Sequence, residues 1–242
     1  MSSVSVFARV EKKFLLTRAQ AEAMQRALAE EGYERGVFGH SLIQSLYYDT
    51  PDCLLTRRSL DRPNYKEKLR FRAYGPASDE GPSFVEIKKK YAGVVYKRRV
   101  ELPYTTAQEA LSAGSMPEES GQIGREITRM LRWYGLSPMA LILYERDAFT
   151  SEKQMDVRIT FDQAIRYRTW DMDMRLPAVG IPLTNPDQLV MEVKVPGAYP
   201  LWLLSMLESV RARPAHFSKI GTAYCAMIGA GITAGGAKQE RK

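Results

Sequence analysis

The segment Tyr65-Lys-Glu-Lys-Leu-Arg-Phe-Arg72 determines how this chain is interpreted. In a β-strand, alternate side chains lie on opposite faces of the sheet. Leu69 and Phe71 therefore share an apolar face. The opposite face carries four consecutive cations: Lys66, Lys68, Arg70 and Arg72. Like charges on neighbouring positions repel and reduce stability unless an anion compensates them, so this strand predicts an anionic ligand.

The same alternation recurs in other strand-like segments along the chain. Their charged positions are Arg9, Glu11, Lys13, Glu86, Lys88, Lys90, Lys97, Arg99, Glu101, Arg158, Glu192 and Lys194. For any single strand, a solvated sheet face is the better explanation of such a pattern. Several strands, however, repeat this concentration of charge on one face, although neighbouring like charges are locally unfavourable. That repetition favours a function for the charged face.

The remaining sequence predicts short strands between a few helices. The predicted strands are 5–15, 45–49, 65–74, 83–90, 94–102, 141–149, 157–162 and 189–195. Thr17 and Gln20 form a capping box that begins a helix ending near Glu31, and further helices are predicted over 106–113, 123–134 and 200–211. The apolar stretch 220–233 predicts a packed helix followed by a frayed tail. Most connections are too short for a crossover, so we predict an α+β fold with antiparallel strands.

Because one sheet face is apolar and the other is charged, the sheet could close into a barrel with a polar lumen. We therefore predict a closed antiparallel β-barrel tunnel with a charged lumen and helices packed outside. We expect one domain over residues 1–231 and a disordered tail over 232–242.

Composition limits the classes of partner. The 242 residues include 35 Lys and Arg against 28 Asp and Glu, a net charge of +7, which indicates a polyanion: nucleic acid, a membrane surface or a phosphate-rich small molecule. Two cysteines and two histidines exclude a disulfide scaffold and a Cys- or His-rich metal cluster. Neither a signal peptide nor a membrane span is visible, so we expect a cytoplasmic protein without membrane insertion.

The chemistry of the charged positions narrows the ligand. Arginine suits bidentate phosphate contacts, and lysine supplies point charge. The carboxylates among these cations, Glu11, Glu86, Glu101 and Glu192, suit a hard divalent ion that also binds phosphate oxygens. The inferred ligand is a chain of phosphates with Mg²⁺ or Mn²⁺.

Nine motifs in a fixed order carry a family resemblance between about Phe7 and Met227. They are Arg9-Val-Glu11-Lys-Lys13-Phe, Ser45-Leu-Tyr-Tyr-Asp49-Thr-Pro51, Lys66-Glu-Lys68-Leu-Arg70-Phe-Arg72, Val85-Glu86-Ile-Lys88-Lys-Lys90, Val95-Tyr-Lys97-Arg-Arg99, Tyr144-Glu-Arg146-Asp-Ala-Phe149, Val157-Arg158-Ile-Thr-Phe-Asp162, Met191-Glu192-Val-Lys194 and Phe217-Ser-Lys219. With these motifs the chain resembles the bacterial form of the VTC (vacuolar transporter chaperone) polyphosphate polymerase domain, within the CYTH-like triphosphate tunnel metalloenzymes.

The resemblance implies a tunnel of about eight strands and a transferase that uses ATP to extend inorganic polyphosphate. It implies phosphate-binding roles for Lys13, Arg70, Arg72, Lys88, Arg146, Arg158 and Lys219, and among these we assign Arg70, Arg72, Lys88, Arg146 and Arg158 to catalysis. It implies metal coordination by Glu192, with Mn²⁺ or Mg²⁺ as cofactor. Glu11 either binds metal or pairs with a neighbouring arginine. The alternation of strand residues adds Lys68, Lys90, Lys97, Arg99 and Lys194 as substrate-binding candidates.

One departure from the wider superfamily affects the predicted activity. Arg9 stands where the superfamily pattern Glu-x-Glu-x-Lys begins, and the loss of that carboxylate weakens the case for a two-metal hydrolase. The expected partners are ATP, triphosphate and polyphosphate. A hydrolase, or a non-catalytic polyphosphate binder, is the alternative. Nucleic acid is disfavoured because the cations alternate within strands beside carboxylates and do not line a recognition helix or a stacking platform.

Overall fold

The structure is a computed structural model that describes residues 9–61, 63–92, 94–152 and 156–231. The strands are β1 (Arg9–Thr17), β2 (Glu34–Asp49), β3 (Tyr65–Tyr74), β4 (Pro82–Tyr91), β5 (Val94–Pro103), β6 (Ser137–Thr150), β7 (Arg158–Arg168), β8 (Ile181–Pro182) and β9 (Gln188–Pro196). The α-helices are α1 (Arg18–Glu30), α2 (Leu54–Leu60), α3 (Tyr104–Ser112), α4 (Gly121–Tyr134), α5 (Leu201–Ser209) and α6 (Lys219–Gly229). The predicted disordered tail, 232–242, lies outside the described residues.

The α+β class is confirmed, but the prediction of a closed barrel is wrong. The strands follow the order β1-β9-β7-β6-β2-β3-β4-β5, with β8 paired to β7. Within the described ranges, β1 and β5 stand at the two ends of this order and are not paired with each other. A barrel needs that closing pair. The alternation of residues showed which side chains share a face, but it carries no information about whether the end strands meet, so the charged positions line a sheet face and no lumen.

The described residues form two compact units. Unit 1 comprises 9–41, 145–164 and 184–217, and unit 2 comprises 42–144, 165–183 and 218–231. The expectation of one domain over 1–231 stays a prediction. No helix in the described part of the chain is both long enough and apolar enough to cross a membrane.

The core of unit 1 lies between its strands and the helices α1 and α5. Phe14, Met24, Phe161, Met191 and Leu203 are all buried there. The predicted capping box is present at the start of α1: the Thr17 hydroxyl accepts from the Gln20 backbone N–H, and the Gln20 side chain accepts from the Thr17 N–H. This capping fixes the start of α1 and brings its apolar stripe onto the sheet.

The core of unit 2 covers the apolar face of β3 and β4. Leu69, Phe71 and Val85 are at most 1% exposed, and they pack with Ile127 of α4 and Tyr104 of α3. The predicted alternation in β3 is therefore confirmed. Helices cover this apolar face, and the charged residues of the same strands lie on the opposite face.

Candidate functional site

The charged face of unit 2 is formed by matching registers of β3, β4 and β5. Lys66 stands opposite Lys90, Lys68 opposite Lys88, and Arg70 opposite Glu86. On the next strand, Lys97 stands opposite Lys88 and Arg99 opposite Glu86. This face therefore carries more cations than carboxylates, and they surround one central carboxylate. The directly opposed lysines repel each other.

Glu86 is that carboxylate, and its side chain is 1% exposed. The Arg70 Nε donates to Glu86 Oε2 at 2.5 Å, the Arg72 Nε lies 4.0 Å from the same oxygen, and the Lys97 ammonium contacts Oε1. Burial raises the pKa of Glu86, but the three cations outweigh it and lower the pKa to about 2. Glu86 is therefore an anion at neutral pH and orders the surrounding cations.

Hydroxyl groups surround the two arginines of β3. Arg72 donates from Nε to the Ser45 Oγ at 2.9 Å and from Nη2 to the Tyr144 hydroxyl at 3.3 Å. The Lys219 ammonium lies 4.3 Å from the centroid of the Tyr144 ring. Arg70 hydrogen-bonds to the Tyr47 side chain, which stands opposite it in the β2–β3 register. These contacts hold the guanidinium groups at fixed positions along the face.

Unit 1 has its own charged cluster on β1 and β9. Glu11 stands opposite Lys194, and Lys13 stands opposite Glu192. The Lys13 Nζ lies 3.7 Å from Glu11 Oε1 and 3.9 Å from Glu192 Oε2, and it donates to the Phe217 carbonyl at 3.1 Å. The Lys194 ammonium contacts Glu192 Oε1 and lies 3.9 Å from Glu11 Oε2. Cations and carboxylates therefore alternate across these two strands.

Arg146 and Arg158 flank this cluster in unit 1. Arg146 forms a bidentate pair with the fully buried Asp162, at 2.5 Å from Nε to Oδ1 and 2.7 Å from Nη2 to Oδ2. Arg158 is exposed and stands opposite Lys194. Burial raises the pKa of Glu192, but Lys194, Lys13 and Arg146 outweigh it and hold that pKa well below its ordinary value. Glu192 is therefore ionised at neutral pH.

The carboxylates of unit 1 can be tested as ligands of the divalent ion that the family implies. Mg²⁺ is commonly held by one or two carboxylates, with phosphate and water oxygens as its other ligands. Glu11 and Glu192 provide such carboxylates on adjacent strands. The described residues contain no cluster of three or more His, Cys, Asp or Glu arranged to hold an ion. The residues present therefore fit an ion that is shared with phosphate, and they do not form an all-protein cage.

The predicted site residues fall into both units. Unit 2 holds Lys68, Arg70, Arg72, Lys88, Lys90, Lys97, Arg99 and Lys219; unit 1 holds Glu11, Lys13, Arg146, Arg158, Glu192 and Lys194. Their roles in binding and catalysis stay predictions. Sequence reasoning missed Tyr47, Tyr144 and Asp162 as site residues. The two tyrosines lie within the quoted motifs, and their positions opposite or beside arginines required the strand register to be known.

The fold and these two clusters define a protein with a cation-rich antiparallel sheet, and the comparisons name its family. Residues 8–228 match the VTC domain, and the chain belongs to this family. A candidate adenylate cyclase from Vibrio parahaemolyticus is similar in structure, with a TM-score of 0.51 and 16% identity over 90% of this chain and 98% of that one. Another candidate adenylate cyclase, from Bacillus halodurans, gives a TM-score of 0.53 and 16% identity over 87% and 93%.

These structural likenesses concern the fold alone. Comparison with curated proteins found no match to this chain.

Proposed function

We propose that this protein is a metal-dependent inorganic polyphosphate polymerase that transfers the terminal phosphate of ATP to a growing polyphosphate chain. One observation carries the proposal: β3, β4 and β5 set lysines directly opposite lysines around the buried carboxylate of Glu86. Directly opposed like charges are unfavourable in a sheet, and an excess of positive charge on one face favours a polyanionic ligand. Membership of the VTC-domain family makes a chain of phosphates the ligand that we favour.

Phosphoryl transfer asks the protein for positioning and charge stabilisation more than for covalent chemistry. The bond between the γ-phosphorus and the β,γ-bridging oxygen breaks, and ADP leaves with that oxygen and its electron pair. A terminal oxygen of the acceptor chain forms the new bond to the γ-phosphorus. That oxygen is already anionic near neutral pH, so the step needs no strong general base.

The chain's own residues bind and orient phosphate in this scheme. Arg70 uses its Nε–H for Glu86 and also donates to Tyr47, and its terminal N–H groups would bind phosphate oxygens when phosphate displaces Tyr47. Arg72 is fixed by Ser45 and Tyr144 beside it. Lys88, opposite Lys68 and Lys97, supplies positive charge along the same face. In unit 1, Arg146 and Arg158 are assigned the same task.

Glu192, together with Glu11, would hold Mg²⁺ or Mn²⁺ through carboxylate oxygens. The ion supplies neutralisation of phosphate charge when it is bound. Lys13 and Lys194 already neutralise these carboxylates in its absence, so metal binding competes with two ion pairs. We expect metal affinity to rise steeply when phosphate is present to supply the remaining ligands.

The test is an incubation of the purified protein with ATP and Mn²⁺ in which long-chain polyphosphate, orthophosphate, ADP and cyclic nucleotide are resolved together. One phosphate added to polymer for each ADP formed supports the polymerase, provided that this activity is lost in Glu192→Ala and kept in the control Lys89→Gln. Orthophosphate without polymer contradicts it and favours a hydrolase. Triphosphate binding without turnover contradicts an enzymatic role and favours a polyphosphate-binding protein.

A further inference from the structure

Tyr47 lies on the charged face of unit 2, among the cations of β3. It stands directly opposite Arg70 in the β2–β3 register, whereas its neighbour Tyr48 stands opposite Leu69 and is buried in the apolar core. Tyr47 is half-buried, and its hydroxyl is hydrogen-bonded to Arg70, whose side chain is 18% exposed on this face. A guanidinium has no acceptor, so Arg70 donates the hydrogen bond and the phenolic oxygen of Tyr47 accepts it.

The charges around Tyr47 are dominated by cations. Burial raises its pKa, but Arg70, Lys68 and Arg72 of β3 outweigh it and lower that pKa to about 7. Charged and titratable groups on other elements also face this site: Glu86 of β4 and Tyr144 of β6 interact with Arg70, Lys97 of β5 contacts Glu86, and Lys219 of α6 lies over the Tyr144 ring.

Asp49 of the same strand is directed elsewhere. Its Oδ1 accepts from the Leu55 N–H and its Oδ2 from the Thr56 N–H, both at the start of α2. It therefore serves as a helix cap, and it does not add a charge that competes with Tyr47 for Arg70.

We propose that Tyr47 is a further phosphate-binding residue, whose hydroxyl donates to a phosphate oxygen when a polyphosphate chain takes over the Arg70 guanidinium. This inference rests on the proposed function, because it adds a residue to the same phosphate site. The ligand that it implies is a chain of anionic phosphates, because a neutral ligand would not displace Tyr47 from Arg70.

Phosphate binding at this position is coupled to proton uptake. A deprotonated Tyr47 competes with phosphate for Arg70, whereas a protonated Tyr47 can donate to phosphate. Ligand binding therefore raises the pKa of Tyr47 from about 7 towards its ordinary value of 10. Between these two values each binding event takes up a proton from solvent, which converts the phenolate to a phenol, and the affinity falls as the pH rises.

The test compares wild type, Tyr47→Phe and the matched control Tyr48→Phe by calorimetric titration with metal-free inorganic triphosphate. Titrations one pH unit below and one above 7, in buffers of different ionisation enthalpy, measure both affinity and proton uptake. All three proteins meet the same triphosphate, so ionisation of the ligand cancels in the comparison. Thermal unfolding of each variant checks that it is folded.

We expect wild type and Tyr48→Phe to lose about ten-fold more affinity across this interval than Tyr47→Phe does, and to take up more protons on binding than Tyr47→Phe does. The ultraviolet absorbance of phenolate, as a difference between wild type and Tyr47→Phe, should show an ionisation near pH 7 that triphosphate moves upward. Equal pH profiles and equal proton uptake in all three proteins overturn the Tyr47 inference alone. If none of the three binds triphosphate, both this inference and the proposed function fail.

Discussion

Arg70 and Glu86 stand opposite each other on β3 and β4, and the Arg70 Nε donates to Glu86 Oε2 across 2.5 Å. The Glu86 carboxylate is buried, whereas the Arg70 side chain is 18% exposed. Glu86 therefore holds Arg70 from inside, and the Arg70 guanidinium lies on the charged face. Buried ion pairs add little net stability, but removing one partner costs about 3–5 kcal/mol. Glu86 therefore organises cations that would otherwise repel one another.

Replacing Glu86 by Gln should lower the stability of the free protein by about 3 kcal/mol, because Arg70, Arg72 and Lys97 lose their shared anion. The same change leaves more positive charge for a ligand. We therefore expect inorganic triphosphate to raise the melting temperature of Glu86→Gln more than that of wild type. Glu101→Gln, an exposed position on β5, is the control and should change stability by less than about 0.5 kcal/mol. Equal melting temperatures for Glu86→Gln and wild type would contradict the role assigned to Glu86.

The pKa of Glu86 also predicts how stability responds to acid. In the unfolded chain this pKa is 4.5, and in the folded protein it is about 2. A carboxylate with a depressed folded-state pKa contributes its full stabilisation above the unfolded value and loses it as the pH falls towards the folded one. The free energy of unfolding of wild type, measured by urea denaturation, should therefore fall as the pH drops from 4.5 to about 2. The free energy of unfolding of Glu86→Gln should fall less over that interval. Parallel declines in both proteins would count against the ion-pair account.

Lys90→Gln should make the free protein slightly more stable. Lys90 stands opposite Lys66, and like charges in that position destabilise a sheet by about 0.2–1 kcal/mol. Lys89, the adjacent residue on the opposite face, pairs with Glu126 at 3.8 Å, so Lys89→Gln should not stabilise. Thermal unfolding at low and high salt measures both variants, and the gain for Lys90→Gln should shrink as salt screens the repulsion. A loss of stability in Lys90→Gln would show that this lysine is favourably paired in the free protein.

Thr17→Ala tests the helix start that positions α1. The Thr17 hydroxyl accepts from the Gln20 N–H at 3.3 Å, and the Gln20 Oε1 accepts from the Thr17 N–H at 2.9 Å. Loss of such a cap costs about 1 kcal/mol, whereas Thr17→Ser keeps the hydroxyl and should be nearly neutral. Chemical denaturation of the three proteins measures the difference. If serine and alanine are equally destabilising, the cap is not the source of the effect.

Local patterns in the sequence predicted most elements of the fold. The observed β3, Tyr65–Tyr74, has the predicted bounds. The helix α4 ends at Tyr134, and Gly135 after it adopts the left-handed conformation that favours glycine. The helix α2 was missed because it has only seven residues and begins after Cys53, whose backbone is left-handed. Asp49 caps that helix from five residues before it, a spacing that local capping rules do not cover.

Long-range pairing explains what sequence reasoning could not reach. The order of strands decides whether β1 meets β5, and no local alternation contains that order, so the barrel prediction failed. The charged face was predictable because alternation is local. The Tyr47–Arg70 pairing depends on the register of strands that are more than twenty residues apart, and tyrosine in a strand is typical of a core position.

The most direct test of the central claim, that the charged face of β3–β5 binds a phosphate chain, is a calorimetric titration of inorganic triphosphate into two double variants. Lys68→Gln with Lys90→Gln removes two positive charges from that face, and Lys89→Gln with Arg129→Gln removes two from elsewhere in unit 2. Two charge-assisted hydrogen bonds at about 1.5 kcal/mol each correspond to about a hundred-fold in affinity. We predict that loss for the first variant and wild-type affinity for the second. Equal weakening in both variants, or in neither, would contradict the claim.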